Sequence, residues 1–187
     1  MNDYLFLFLS WSIYFFLHSL LASTGAKSKF PLSAKNYRLL YSIVSTIGLF
    51  WLMLQMAVIK PDYLFTPTDL TKYLGMVIAS WGVIIIMMSF RQISAAAFLG
   101  LKLELNAELI KTGIHARMRH PIYTGTILVI LGMLVAVPNY SVLVSAIASF
   151  LYLPIGIYLE EKKLVRLFGK EYLEYKQEVK AILPDVI

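Results

Sequence analysis

The 187-residue chain contains no cysteine. That single absence excludes a disulfide framework, a thiolate zinc site and a cysteine nucleophile. Histidine is scarce too: His18, His115 and His120 are too few and too scattered to suggest a metal cage. No metal is expected, which leaves an organic cofactor or none. Acidic residues number 11 against 17 Lys and Arg, a net charge of +6. This excess does not read as a nucleic-acid surface, because the basic residues alternate with long apolar segments and form no basic platform interleaved with aromatics. Residues 1–22 lack a basic start and a cleavage-like site, so they read as a retained helix and not as a signal peptide. Internal repeats and low-complexity tracts are missing, and no Gly-x-Gly-x-x-Gly follows a strand-like run.

Apolar surface is what the chain has in excess. Hydrophobic residues make up 59% of it and the mean hydropathy is +0.71, outside the range of a soluble globular protein. Lipid must solvate much of it. A helix needs about 20 apolar residues to cross a bilayer, and that length picks out residues 4–22, 37–59, 70–90, 121–137 and 140–159. The fourth segment is short, and Pro138-Asn139 turns it directly into the fifth, predicting a tight antiparallel hairpin. The expected fold class is an all-α polytopic membrane protein with five transmembrane helices, a single integral membrane domain over residues 1–187 with three of its helices in residues 1–90.

The loops supply an independent count through the excess of Lys and Arg on the cytoplasmic side. Lys27, Lys29, Lys35 and Arg38 follow the first segment. Arg91, Lys102, Lys111, Arg117 and Arg119 follow the third, and Lys162, Lys163, Arg166, Lys170, Lys176 and Lys180 follow the fifth. Only Lys60 and Lys72 fall after the second. Five helices with the N-terminus outside and the C-terminus cytoplasmic put every cluster on one side, and a bacterial or archaeal inner membrane is the expected location. Residues 91–120 mix Ala95, Ala96, Ala97, Phe98 and Leu99 with Lys102, Glu104 and Glu108, which predicts a short surface helix or lid ending at Gly113. After Glu161, Leu164, Phe168, Tyr172, Tyr175, Val179 and Ile182 recur every three or four residues, with Lys163, Lys170, Glu174 and Lys176 opposite. That spacing predicts an amphipathic cytoplasmic helix with a break at Gly169.

Ionisable and aromatic residues gather at the ends of the hairpin. Pro121 suits the first turn of a helix, where its missing donor costs nothing. Arg119 and His120 then sit at the helix mouth, where free backbone N–H groups and the positive dipole end favour an anion. Tyr123 lies a turn further in, and Gly125 lets a ligand or a neighbouring helix approach closely. Glu160 and Glu161 return to the same membrane face. Each has a plainer use: Arg119 as an interfacial anchor, one Glu as partner of Arg119 or Arg166, and His18 with Ser19 as a polar pair bonded between helices. Trp11, Trp51, Trp81, Met53, Met56, Met87 and Met88 read as packing or interfacial residues.

Taken together, Gly113-Ile114, Arg119-His120-Pro121, Tyr123, Gly125, Glu160-Glu161, Leu164, Phe168-Gly169, Glu171-Tyr172, Tyr175 and Pro184 resemble the isoprenylcysteine carboxyl methyltransferase family over residues 109–184. Residues 17–23 and 37–41 look like the bacterial branch that holds NnrU-like proteins and membrane thiol S-methyltransferases. Thr126 and Ile157-Tyr158-Leu159 stand where prenylcysteine enzymes often carry Trp and Arg. The resemblance implies S-adenosyl-L-methionine bound without a Rossmann fold by the region 91–187, at Gly113, His115, Arg119, His120, Tyr123, Gly125, Glu160, Glu161, Leu164, Phe168 and Tyr172. His120, Glu160 and Arg119 are the catalytic candidates. The donor's carboxylate suits Arg119, His120 and the helix mouth, its amino group suits Glu161 or Glu160, and Tyr123, Tyr172 and Phe168 suit the adenine or the sulfonium. The acceptor is expected to be a lipophilic small molecule or a lipid that enters from the bilayer. Two alternatives stay open: a nicotinamide-dependent reductase of the sterol reductase type, and a non-catalytic membrane scaffold or transporter.

Overall fold

The structure, a computed structural model, describes residues 3–99, 101 and 108–183. Among them all regular structure is helical, apart from one isolated antiparallel bridge between Tyr63 and Asn139. The helices are α1 (Asp3–Ala22), α2 (Thr24–Lys29), α3 (Ala34–Val58), α4 (Asp69–Phe90), α5 (Ala95–Phe98), α6 (Pro121–Ala136), α7 (Tyr140–Phe168) and α8 (Lys170–Glu178), with a 3-10 turn at Gly113–Ala116. Four of them, α1, α3, α4 and α7, are long and apolar enough to cross a membrane. Helix α6 is apolar but has 16 residues, a rise of about 24 Å at 1.5 Å per residue.

Local chemistry sets the boundaries. Ser33 accepts from the Asn36 N–H, so α3 starts before the expected residue 37. Thr68 and Thr71 form a capping box at the start of α4. Asn139 accepts from the Val142 N–H at 2.9 Å and opens α7. The expected stop of the last span at residue 159 marks the end of its apolar run, not of its helix. Glu160, Glu161, Lys162 and Lys163 continue α7 to Phe168, because these straight-chain residues favour helix as strongly as they oppose lipid. Leu164 and Phe168 therefore belong to α7 and not to the C-terminal amphipathic helix. The break does fall at Gly169, whose φ of +56° places it in the left-handed region. Of the expected lid, α5 is described, while Lys102 and Glu104 lie outside the described residues, as does the motif's Pro184.

The chain divides into two compact units. The first takes in Met1–Thr66, Ala95–Leu105 and Pro138–Tyr152. Its core is Leu7, Trp11, Leu52 and Ala148, and the Trp11 indole donates to Ser145 Oγ at 2.8 Å. His18 lies 2.9 Å from the Tyr41 hydroxyl and 3.2 Å from Ser45 Oγ, and Ser19 lies 2.8 Å from the Tyr152 hydroxyl. These polar side chains are thus satisfied between helices, as apolar surroundings require. Arg38 holds α5 through the Phe98 carbonyl at 3.0 Å and through the ring face.

The second unit comprises Pro67–Ser94, Asn106–Val137 and Leu153–Ile187. Small residues let α4 and α6 meet backbone to backbone. A Cβ on Gly82 would stand 2.5 Å from the Gly125 carbonyl, and one on Gly125 equally close to the Gly82 carbonyl. Two turns away Gly132 faces the Gly75 carbonyl at the same separation, with Ala79 beside it. Lipid gives little hydrophobic drive between helices, so close contact of this kind is what fixes the pair.

Candidate functional site

The site lies wholly in the second unit, at the mouth of α6. Pro121 occupies the first position of that helix, and His120 precedes it in a non-helical conformation. The sequence predicts open backbone donors here, but two flanking ones are taken. The Arg119 N–H donates to the Lys180 carbonyl at 2.8 Å, and the His120 N–H to the Ala181 carbonyl at 2.9 Å. Thr124 Oγ1 adds a 2.8 Å bond to the Ile182 carbonyl. Residues 180–182 are stitched along the mouth by main-chain chemistry that side-chain patterns do not encode.

Arg119 and Glu161 meet directly. Arg119 Nε and Nη2 donate to Glu161 Oε1 at 3.0 and 2.6 Å, while Nη1 donates to the Lys176 carbonyl at 3.1 Å and to that of Val179. The planar fork of the guanidinium thereby ties α7 to the end of α8. Lys176 Nζ donates to Glu161 Oε2. His120 Nε2 lies 3.3 Å from Glu161 Oε1, and its Nδ1 lies 3.8 Å from Glu160 Oε2. Tyr123 meets the His120 ring edge-on at 5.6 Å between centroids. The side chains of Arg119 and Glu161 are 8% and 11% exposed, against 45% for Lys176.

Burial alone pushes the Glu161 carboxyl up. The hydrogen bonds from Lys176 and Arg119 and the adjacent Arg119 charge outweigh it, taking the group from its ordinary 4.5 down to about 2. Tyr172, 1% exposed, is pushed well above its ordinary range by burial and then by the Glu161 charge. Its hydroxyl makes no hydrogen bond of good geometry, although the Arg119 guanidinium lies close enough to pull it partly back down. Burial raises Tyr175 to about 12 against the pull of the Arg119 charge, and its hydroxyl donates to the His115 carbonyl at 2.5 Å.

A proton-linked loss of stability follows on the acid side. His115 is held below its ordinary 6.5 by burial and then by His120, so the folded chain resists protonation there more than the unfolded chain does. Glu161 does the same below 4.5. Both contributions are complete at high pH and vanish as pH falls, His115 first below about 6.5, Glu161 between about 4.5 and 2. Thermal melts in detergent are expected to fall in two acid stages, with His115→Asn removing the upper one; a midpoint flat between pH 5 and 3 would contradict the Glu161 assignment.

The other sequence candidates fall around this knot in different ways. Gly113 has φ +61°, and a Cβ there would strike the Gln92 side chain at 2.5 Å, so its role is conformational. His115 is buried, with Nε2 3.4 Å from Ser89 Oγ and Nδ1 without a partner. The space left by Gly125 is filled by α4, through the Gly82 carbonyl and Ile86. Leu164 and Phe168, half-buried, lie three and seven residues beyond Glu161 on one face of α7. Lys176 was missed: on a charged helix it reads as a solvated residue, and only its place on the face turned to α7 distinguishes it. A groove of about 400 Å3 opens beside the pair, lined by Tyr158, Glu161, Lys162, Val165, Arg166 and Lys176. A carboxylate ringed by cations, a buried hydroxyl without a hydrogen bond of good geometry and nearby aromatic faces suit a small zwitterion better than a purely apolar ligand.

Known proteins similar to this chain are methyltransferases by name. The chain is 40% identical to methanethiol S-methyltransferase 1 of Bradyrhizobium diazoefficiens over 67 residues, 36% of this chain and 23% of that protein. It is 39% identical to methanethiol S-methyltransferase of Pseudomonas deceptionensis over 71 residues, 37% and 26% of the two chains. With protein-S-isoprenylcysteine O-methyltransferase of Tribolium castaneum it shares 31% identity over 83 residues, 41% and 27% of the two. The matched stretches thus span about a quarter of each relative's length. The family described as phospholipid methyltransferase matches residues 70–171, more than half of the chain, from the glycine-packed α4 through the Arg119–Glu161 pair to the start of α8. On that extent of match, the chain belongs to the phospholipid methyltransferase family.

Proposed function

We propose that the chain is a membrane-embedded methyltransferase that uses S-adenosylmethionine and acts on a lipophilic acceptor. The observation that carries this reading is the Arg119–Glu161–His120 knot at the end of apolar helices, inside the stretch matched by a methyltransferase family. The residues present fit the donor. Among the described residues Glu161 Oε2 is held only by the half-exposed Lys176, so it can exchange that ammonium for the donor's own. The Tyr172 hydroxyl, which makes no hydrogen bond of good geometry, and the Tyr123 ring supply a polar contact and a face for a cation, the latter worth roughly 0.5–2 kcal/mol.

When bound, S-adenosylmethionine supplies an electrophilic methyl group. The protein's part is alignment and exclusion of water, which can contribute about 7–11 kcal/mol. A thiol or amine acceptor also loses a proton. His120 Nδ1 is placed to take it, with Glu160 at 3.8 Å to stabilise the resulting imidazolium. Arg119, with its donors committed to Glu161 and to main-chain carbonyls, acts as the residue that positions Glu161.

We also infer that α6 is the fourth of five spans, paired with α7 in an antiparallel hairpin, with the N-terminus outside and the C-terminus inside. The basic residues support this, since all clusters then share one face. Local thinning of the bilayer accommodates so short a helix.

Melting the purified protein with S-adenosylmethionine and, separately, with NADPH tests the assignment. Only the first is expected to raise the midpoint, by the equivalent of about 2.7 kcal/mol at a hundredfold excess over Kd. Stabilisation by NADPH alone would replace the reading with a reductase. Membranes incubated with labelled methyl donor and a thiol, a prenylcysteine and a phospholipid amine would then identify the acceptor.

A further inference from the structure

The groove beside Glu161 holds more positive charge than the knot uses. Lys162, Arg166 and Lys176 line it with Tyr158 and Val165. Lys162 leans over the Tyr158 ring at 6.0 Å, and among the described residues neither Lys162 nor Arg166 has a carboxylate partner. Among the described residues of the lining the one anion is Glu161, already neutralised from the other side by the buried Arg119. The groove also begins where the apolar run of α7 ends: Ile155, Tyr158 and Leu159 present exposed apolar surface just before the cations start. An amphiphile whose chains lie along that surface brings its headgroup level with Lys162 and Arg166.

We propose that this groove seats the phosphate of an anionic membrane phospholipid, distinct from the methyl acceptor, and that the lipid controls access to Glu161 through Lys176. The inference rests on Glu161 being the contact for the donor's ammonium. Lys176 is the shared element. Its ammonium holds Glu161 Oε2 and also lines the groove, and its side chain is 45% exposed, so it has room to turn. A phosphodiester between Lys162 and Arg166 draws that ammonium away from Oε2 and leaves the oxygen open to the donor. No bond is made or broken; one ion pair is exchanged for another. By reciprocity the donor tightens the lipid as much as the lipid tightens the donor.

The test places the full-length chain in nanodiscs of phosphatidylcholine alone or with phosphatidylglycerol, and measures S-adenosylmethionine affinity with thermal stability in the same discs. Affinity is expected to rise about fivefold or more with phosphatidylglycerol, the lower end of ordinary coupling between sites. Arg166→Gln should bring the phosphatidylglycerol value down towards that in phosphatidylcholine. Lys176→Gln should remove the dependence by raising affinity in phosphatidylcholine. Inorganic phosphate or glycerophosphate in detergent should not reproduce the effect; if either does, a soluble anion is the ligand and the lipid assignment is overturned. Equal affinity in both discs, or a lipid dependence that survives Lys176→Gln, overturns the proposal and leaves the methyltransferase reading standing. Should the donor bind in neither disc, that reading fails, and native mass spectrometry decides the groove alone: phosphatidylglycerol retained by wild type and lost in Arg166→Gln supports the seat, and no retention sinks it.

Discussion

Glu161→Gln is expected to bind S-adenosylmethionine about a hundredfold more weakly than the wild-type chain, while still inserting into membranes. The amide keeps the shape of the carboxylate but loses its charge. A hydrogen bond to a charged group contributes about 1.5–3 kcal/mol, and each 1.4 kcal/mol is a factor of ten. The same change has a structural cost, because Arg119 is 8% exposed on its side chain and loses its counter-charge. Removing one partner from a buried pair typically costs about 3–5 kcal/mol. The loss here is expected at about 2–3 kcal/mol, below that range, since Arg119 Nη1 keeps its carbonyls at Lys176 and Val179 and the Lys176 ammonium reaches water. Isothermal titration for the donor and denaturant unfolding for the fold separate the two effects. Arg119→Gln should reproduce the unfolding loss; if Glu161→Gln lowers stability but leaves donor affinity at the wild-type value, Glu161 is a strut and not a contact for the donor.

The second large effect is expected where the site's scaffold has no space at all. Gly75→Leu or Gly82→Leu should unfold the second unit or lower its stability by more than about 3 kcal/mol, beyond the usual range for overpacking. A Cβ at Gly82 meets the Gly125 carbonyl at 2.5 Å and the Val129 N–H nitrogen at 2.8 Å. Both are backbone atoms of a helix and cannot rotate aside, so α4 and α6 would have to part, carrying Arg119 and His120 with them. Gly25→Ala serves as the control: nothing lies within 4 Å of its Cβ position, and a change within about 0.5 kcal/mol is expected there. Loss of methyl-donor binding in the α4 variants, with none at Gly25, would tie the packing to the site. Wild-type melting of Gly82→Leu would refute the close-contact account.

Much of this architecture is legible in the residue pattern, because lipid imposes long apolar runs. Helices α1 and α4 begin and end within a residue or so of where hydropathy places them. The convergence of Arg119 and His120 with Glu161, about 42 residues further on, is also legible in the sequence, which puts the paired carboxylates at the same end as Arg119 and His120. What the pattern hides is of three kinds. Polarity marks the end of an apolar run and not of a helix, and α7 continues nine residues beyond the expected 159, to 168. Contacts made through carbonyl oxygens carry no residue signature: the anchoring of residues 180–182 on α6 and the capping of α8 by Arg119 use groups that every residue has. The Lys176–Glu161 contact, between two side chains, is hidden for a different reason. The chemistry of Lys176 is visible in the sequence, but its partner is decided by the turn at Gly169, which sets the direction in which α8 leaves α7.

The stitching of α6 to residues 180–182 also fixes an order of events during synthesis. Arg119 and His120 leave the ribosome about 60 residues ahead of the carbonyls that hold their backbone N–H groups. At roughly 5–20 residues per second, that is an interval of several seconds. Over that time the entrance of α6 stays unfinished, and Arg119 and His120 lack the backbone anchors that residues 180–182 supply later.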